Sequence, residues 1–141
     1  MTGLMVRQGR LAHESGGTPA LASMSRVLVI EAHPDVRDAL RVLLQRQHAA
    51  PLEVVGILDT LDCLPDMIAR LRPTLLLMDW ELAASQKATL ATIRARFPGV
   101  NILALSVKPE MRQMALKAGA DAFVSKGGPA DDLLQALVAL M

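Results

Sequence analysis

Four polar residues stand where apolar runs end. Glu31 follows Val27-Leu28-Val29-Ile30, Asp79 follows Leu75-Leu76-Leu77-Met78, Ser106 follows the run over 100–105, and Lys126 comes just after Ala122-Phe123-Val124. Gathered at one place, these residues would bring two carboxylates, one hydroxyl and one ammonium into a single charged cleft. An acid that closes a buried apolar strand gains nothing from packing, because burial disfavours its charged form; Asp79 therefore reads as functional. Lys126 is weaker evidence alone, since a lysine at a strand end ordinarily faces water. Phe123 reads equally well as core.

The cleft exists only if the runs lie side by side, and the surrounding pattern says that they do. From Arg26 onward, short apolar runs alternate with helical periodicity, which is the signature of an α/β domain. The expected strands are 27–30, 52–57, 75–78, 100–105 and 122–124. Between them, Pro34 opens a helix whose inward face carries Val36, Ala39, Leu40, Leu43 and Leu44. Asp62 is the expected cap of a short second helix with Met67, Ile68 and Leu71 inside, and Cys63 reads as a small apolar residue near its start. A third helix is predicted over 86–96, and a fourth from about Pro109 to Gly119. The last has Pro129 in its first turn, Asp131 and Asp132 at its positive end, and Leu133, Leu134, Leu137, Val138 and Met141 on its apolar face.

Five strand–helix units with right-handed crossovers make a doubly wound parallel sheet of flavodoxin-like (βα)5 type, with strand order 2-1-3-4-5. Ligands of such sheets bind beyond the carboxyl ends of the strands, where the four polar residues fall.

Bulk properties narrow the function. The 141 residues, 52% apolar and 21% charged, suit one domain. The expected division is a flexible N-terminal lead over 1–25, with translation starting at Met1 or at Met24, and a domain over 26–141. Fifteen basic residues face fourteen acidic ones, and removing Arg7, Arg10 and Glu14 leaves thirteen of each, so no basic footprint for nucleic acid is expected. Only Trp80, Phe97 and Phe123 are aromatic, too few for a base-stacking platform. The single cysteine excludes an internal disulfide and fits a reducing, cytoplasmic setting. No apolar run reaches the length of a membrane span, despite a mean hydropathy of +0.33.

The segments VLVIEAHPDVRDALRVLL, LRPTLLLMDWEL and ALKAGADAFVSK together resemble, in order and spacing, the receiver domain of bacterial two-component response regulators, from Arg26 to Met141. The resemblance implies that Asp79 is the phosphoacceptor, that Ser106 is the hydroxyl turning toward the phosphoryl group, that Lys126 is its ion-pair partner and that Phe123 is the aromatic switch. It implies a Mg2+ pocket formed by Glu31, Asp79 and the backbone carbonyl of Glu81. It implies no separate catalytic turnover beyond the domain's own phosphorylation and dephosphorylation. The phosphodonor would be a histidine kinase or phosphotransfer protein docking near Val36, Arg37 and Leu40. Output would pass to a protein partner or a homodimer through the fourth helix, fifth strand and fifth helix, since no DNA-binding segment follows.

The chain also departs from that pattern. Ala32 stands where the family usually has a second acid, which should weaken Mg2+ binding. The stretch after Asp79, Trp80-Glu81-Leu82-Ala83, lacks the usual proline, and Ala84-Ser85-Gln86-Lys87 lacks the usual glycine, so a loose loop is expected there. Val107 stands where a small residue is common and would narrow access to the pocket. A phosphorylation-independent, receiver-like interaction module is therefore the alternative. Glu31-Ala32-His33 is also faintly similar to the Asp-x-His loop of cobalamin-binding domains, but Val36 replaces the expected glycine, and His33 reads more simply as a solvated loop residue.

Overall fold

Alternation along five strands sorts the apolar side chains onto two faces of one sheet. The computed structural model describes residues 24–49 and 51–141. Except for Met24 and Ser25, the proposed lead and the Met1 start lie outside the described residues.

The strands are β1 (Ser25–Ile30), β2 (Leu52–Leu58), β3 (Leu75–Asp79), β4 (Asn101–Ser106) and β5 (Ala122–Ser125). They pair in parallel in the order β2-β1-β3-β4-β5, the flavodoxin-like arrangement read from the sequence. The helices are α1 (Pro34–Arg46), α2 (Leu64–Leu71), α3 (Trp80–Ala84), α4 (Lys87–Arg96), α5 (Arg112–Lys117, entered through a 3-10 turn at Pro109–Met111) and α6 (Ala130–Ala139).

Leu28, Ile30, Leu76, Met78, Ile102, Ala104 and Phe123 face one way, against Leu64, Ile68, Leu90, Ile93 and Ala115 of α2, α4 and α5. Val27, Val29, Leu75, Leu77, Leu103, Leu105 and Val124 face the other, against Leu40, Leu44, Leu133 and Leu137 of α1 and α6. Every residue of β3 and β4 is buried, as apolar strands in the middle of a two-sided sheet must be. Leu77 has no exposed surface. Truncating it in Leu77→Ala is expected to cost about 3 kcal/mol through lost burial and the cavity left behind. The check is the urea midpoint, with Val42→Ala as the control, because Val42 is 46% exposed.

Three local expectations are corrected. The stretch after Asp79 is helical rather than loose, because Trp80 and Ala83, both buried, meet the core one turn apart while Asp79 caps the first turn. Asp62 does not cap α2. Cys63 occupies the cap position with a left-handed backbone (φ 61°), makes no side-chain cap bond and is exposed rather than packed. Val138, placed on the apolar face of α6, is 45% exposed, since Leu133 and Leu137 already define the buried stripe.

At the foot of α5, Gly119 has φ 121°, a conformation costly for any residue with a Cβ, so it ends the helix as its position indicated. Among the described residues no helix is long and apolar enough to cross a membrane.

Candidate functional site at the carboxyl rim of the sheet

Strand order dictates which rim residues meet. β3 lies between β1 and β4, with β5 beyond, so the ends of β1 and β3 are adjacent and β5 reaches them only through a long side chain. Glu31 leaves β1 with its N–H bonded to the Leu58 carbonyl at 2.9 Å, and Lys126 leaves β5 with its N–H bonded to the Ser106 carbonyl at 2.8 Å. Asp79 is the last residue of β3. By alternation Glu31, Asp79 and Lys126 continue the face carrying Val29, Leu77 and Val124, whereas Ser106 continues the face carrying Ala104.

Glu31, Asp79 and Lys126 converge. Lys126 Nζ lies 2.9 Å from Glu31 Oε1 and 3.3 Å from Asp79 Oδ1. Both carboxylates are removed from water, Glu31 at 0% and Asp79 at 1% exposure. Asp79 Oδ1 also accepts the Glu81 N–H at 3.1 Å, while Oδ2 is buried with no hydrogen-bond partner. The loop before α1 is braced by Arg37, whose Nη1 donates to the carbonyls of Glu31 and Ala32 at 3.0 and 2.9 Å. Arg37 thus holds the backbone that carries Glu31, at the place where a docking partner was expected.

Two acids so close to one lysine do not share its charge equally. For Glu31 burial is the largest influence and acts upward, yet hydrogen bonds from Lys126, the His33 ring and the His33 N–H outweigh it and hold the carboxyl below its usual value. For Asp79 burial prevails, reinforced by the negative charge of Glu31, and its pKa is raised despite Lys126 and the Glu81 N–H. Asp79 is therefore the carboxylate held under electrostatic tension.

Ser106 is fully buried, and its hydroxyl donates to Glu81 Oε2 at 2.5 Å while accepting the Lys108 N–H at 3.0 Å. The side chain of Glu81, to which the sequence reading gave only a carbonyl role, thus holds that hydroxyl. Phe123 is 4% exposed in the core, with the Arg112 guanidinium 5.3 Å from its ring centroid. Val107 is 62% exposed and directed to solvent.

His33 corrects an expectation more sharply. Its side chain is 65% exposed, yet Nδ1 lies 2.9 Å from Glu31 Oε2 and 3.9 Å from Asp79 Oδ2. It belongs to the site. No single-residue pattern reveals this; the signal available was only its place two residues beyond Glu31.

A family model described as response regulator receiver domain matches residues 27–138. No curated protein matches the chain. Among solved structures, the isolated REC domain of RcsB from Salmonella enterica serovar Typhimurium, determined with the phosphomimetic BeF3-, is 23% identical with a TM-score of 0.72, covering 84% of this chain and 88% of its own. A two-component response regulator of the LuxR family from Aurantimonas sp. SI85-9A1 is 24% identical with a TM-score of 0.74, covering 84% and 85%. RcsB from the same Salmonella serovar bound to promoter rprA is 23% identical with a TM-score of 0.70; the match covers 82% of this chain and 61% of that longer one. These likenesses establish the fold, and with a family model matched from the first strand into the last helix, the chain belongs to the response regulator receiver domain family.

Proposed function

We propose that this receiver domain is a phosphorylation switch of two-component signalling in which Asp79 accepts a phosphoryl group from the phosphohistidine of a histidine kinase or phosphotransfer protein. The observation that carries the reading is the Asp79 carboxylate itself: buried, raised in pKa, held through Oδ1 by Lys126 and the Glu81 N–H, and left with an unpartnered Oδ2. An oxygen of that carboxylate bonds to phosphorus as the donor's P–N bond breaks, and the electron pair returns to the imidazole nitrogen. Lys126 gains a new charge-assisted contact to the phosphoryl oxygens, relieving the shared strain with Glu31. The domain acts on no other substrate.

Receiver domains use a divalent cation, and the residues here fit one, because a buried carboxylate oxygen without a partner lies beside a second acid. Glu31, Asp79 and the Glu81 carbonyl would hold it, and it would offset charge on the phosphoryl oxygens. When Ser106 leaves Glu81 for the phosphoryl group, the space released lets Phe123 move. The face of α5, β5 and α6 then changes its affinity for a protein partner or a second copy, rather than for nucleic acid. We place this work in the cytoplasm, where the exposed Cys63 thiol stays reduced.

A phosphate-independent interaction module draws support from two observations: Ala32 in place of an acid, and the Ser106 hydroxyl already bonded to Glu81. Incubation with a small-molecule phosphodonor and a divalent cation separates the two readings by intact mass. A phosphate-sized gain supports the switch, and none supports the module.

Glu81 gives a finer check. Glu81→Ala frees the Ser106 hydroxyl proton and removes a negative charge near the rim, so initial phosphorylation is expected to run about threefold to tenfold faster, with the Lys108 N–H still donating to Ser106 Oγ and holding the side chain in place. An unchanged rate in a time-resolved mass measurement would show that the Ser106–Glu81 bond does not restrain the hydroxyl.

A further inference from the structure

Lys126 takes one oxygen from each carboxylate and leaves the other. Its Nζ is against Glu31 Oε1 and Asp79 Oδ1, while the second oxygens, Glu31 Oε2 and Asp79 Oδ2, lie 2.9 and 3.9 Å from His33 Nδ1. A ligand atom from each of Glu31, His33 and Asp79 lies within 4.8 Å of the other two. Ligands held about 2.0 to 2.1 Å from one ion stand about 3 to 3.5 Å apart when adjacent, so both spacings from Nδ1 lie within about half an ångström of what a shared ion requires. Independently of the cluster, Asp79 is 1% exposed and its Oδ2 has no hydrogen-bond partner, an orphaned anionic oxygen that a cation would satisfy.

We propose that the pocket prefers a first-row transition cation such as Zn2+ or Co2+ over Mg2+, with His33 Nδ1 ligating beside Glu31 Oε2 and Asp79 Oδ2 where Ala32 supplies no acid. The proposal rests on the rim being the cation-holding pocket described above, and it names the cation. Mg2+ asks for oxygen ligands and dehydrates reluctantly, so an imidazole in place of a carboxylate serves it poorly. The borderline ions accept imidazole nitrogen readily. On ligation the ring would exchange its 2.9 Å hydrogen bond to Glu31 for a bond from the Nδ1 lone pair to the ion.

Calorimetric titration of the full chain with Zn2+ and with Mg2+, repeated on His33→Gln and His48→Gln, tests this. The wild type is expected to bind Zn2+ at least about 100-fold more tightly than Mg2+. His33→Gln should lower Zn2+ affinity about 10- to 100-fold and change Mg2+ affinity less than about threefold, while His48→Gln changes neither. In the wild type, Zn2+ should also shift the His33 Nδ1 resonance in 15N spectra, a readout independent of any variant's folding. Equal losses for both ions in His33→Gln would overturn the proposal, because the ring would then only orient Glu31. Zn2+ binding that ignores His33, that depends on His48, or that leaves the Nδ1 resonance in place would overturn it too. Failure of phosphoryl uptake alongside His33-dependent Zn2+ binding would sink the switch reading and leave this one standing.

Discussion

Asp79→Asn is expected to abolish the phosphate-sized mass gain completely and, at neutral pH, to leave the protein more stable than the wild type. The first effect follows from removing the only rim carboxylate with an unpartnered oxygen and a raised pKa among the described residues. The second follows from electrostatics. Ionised Asp79 is buried next to ionised Glu31, and one Lys126 ammonium serves both. An amide of the same shape removes the repulsion at a cost of part of the Lys126 contact, for a net gain on the order of 1 kcal/mol, or about 4 °C in Tm. Because the folded-state pKa of Asp79 is raised, the folded chain holds that proton more tightly than the unfolded chain does. Wild-type stability therefore rises as pH falls through the folded value toward the unfolded 3.8, and the variant's advantage shrinks over the same window. Glu31 acts oppositely: its lowered value contributes stability above the unfolded 4.5 and loses it as pH falls below. Urea midpoints for both proteins from neutral pH down to about 4 follow the Asp79 contribution, together with the change that removing its charge makes at Glu31. A phosphate gain that persists in the variant would move the acceptor elsewhere; an advantage that grows on acidification would contradict the raised pKa.

The same carboxylate shows how much of the site the sequence already carried. Asp79 was legible because β3 is buried on both faces, so its apolar run has no polar member until the strand reaches the rim. Strand order then followed from the right-handed crossover, and with it the neighbourhood of Glu31 and Lys126. Legibility ended where geometry depends on side-chain reach. Whether Ser106 points at a phosphoryl group or at Glu81 depends on a bond between residues 25 apart in the chain, and no periodicity encodes it. His33 escaped for a related reason. An exposed loop histidine looks solvated, and only the placement of Glu31 Oε2 under its ring draws it into the pocket. Helix α3 was missed because one turn anchored by Trp80 and Ala83 has no repeat long enough to register as a period. The left-handed Cys63 was missed because a neighbouring Asp62 offered a conventional cap that the backbone does not use.

These observations give Ala32 its weight. Glu31 is the only acid leaving β1, and with Oε1 on Lys126 it has one oxygen, Oε2, to offer an ion. Its extra methylene cannot also serve a second ligand position. Ala32→Asp adds a carboxylate between two residues that both reach the pocket, and Mg2+ affinity is expected to rise about tenfold or more, worth about 1.4 kcal/mol of binding. The cost falls on the metal-free protein, because a third acid around one lysine pushes the Asp79 pKa further up and lowers stability at neutral pH by about 1 kcal/mol. Saturating Mg2+ should reverse that loss, with about 2.7 kcal/mol regained at 100 times Kd. Melting the variant and the wild type with and without Mg2+ therefore yields a crossover: the variant melts lower without the ion and higher with it. The Trp80 indole, buried one residue from Asp79, reports the same titration by fluorescence. Unchanged Mg2+ affinity would mean that position 32 does not face the ion, and the missing acid would then not explain any weakness in phosphorylation.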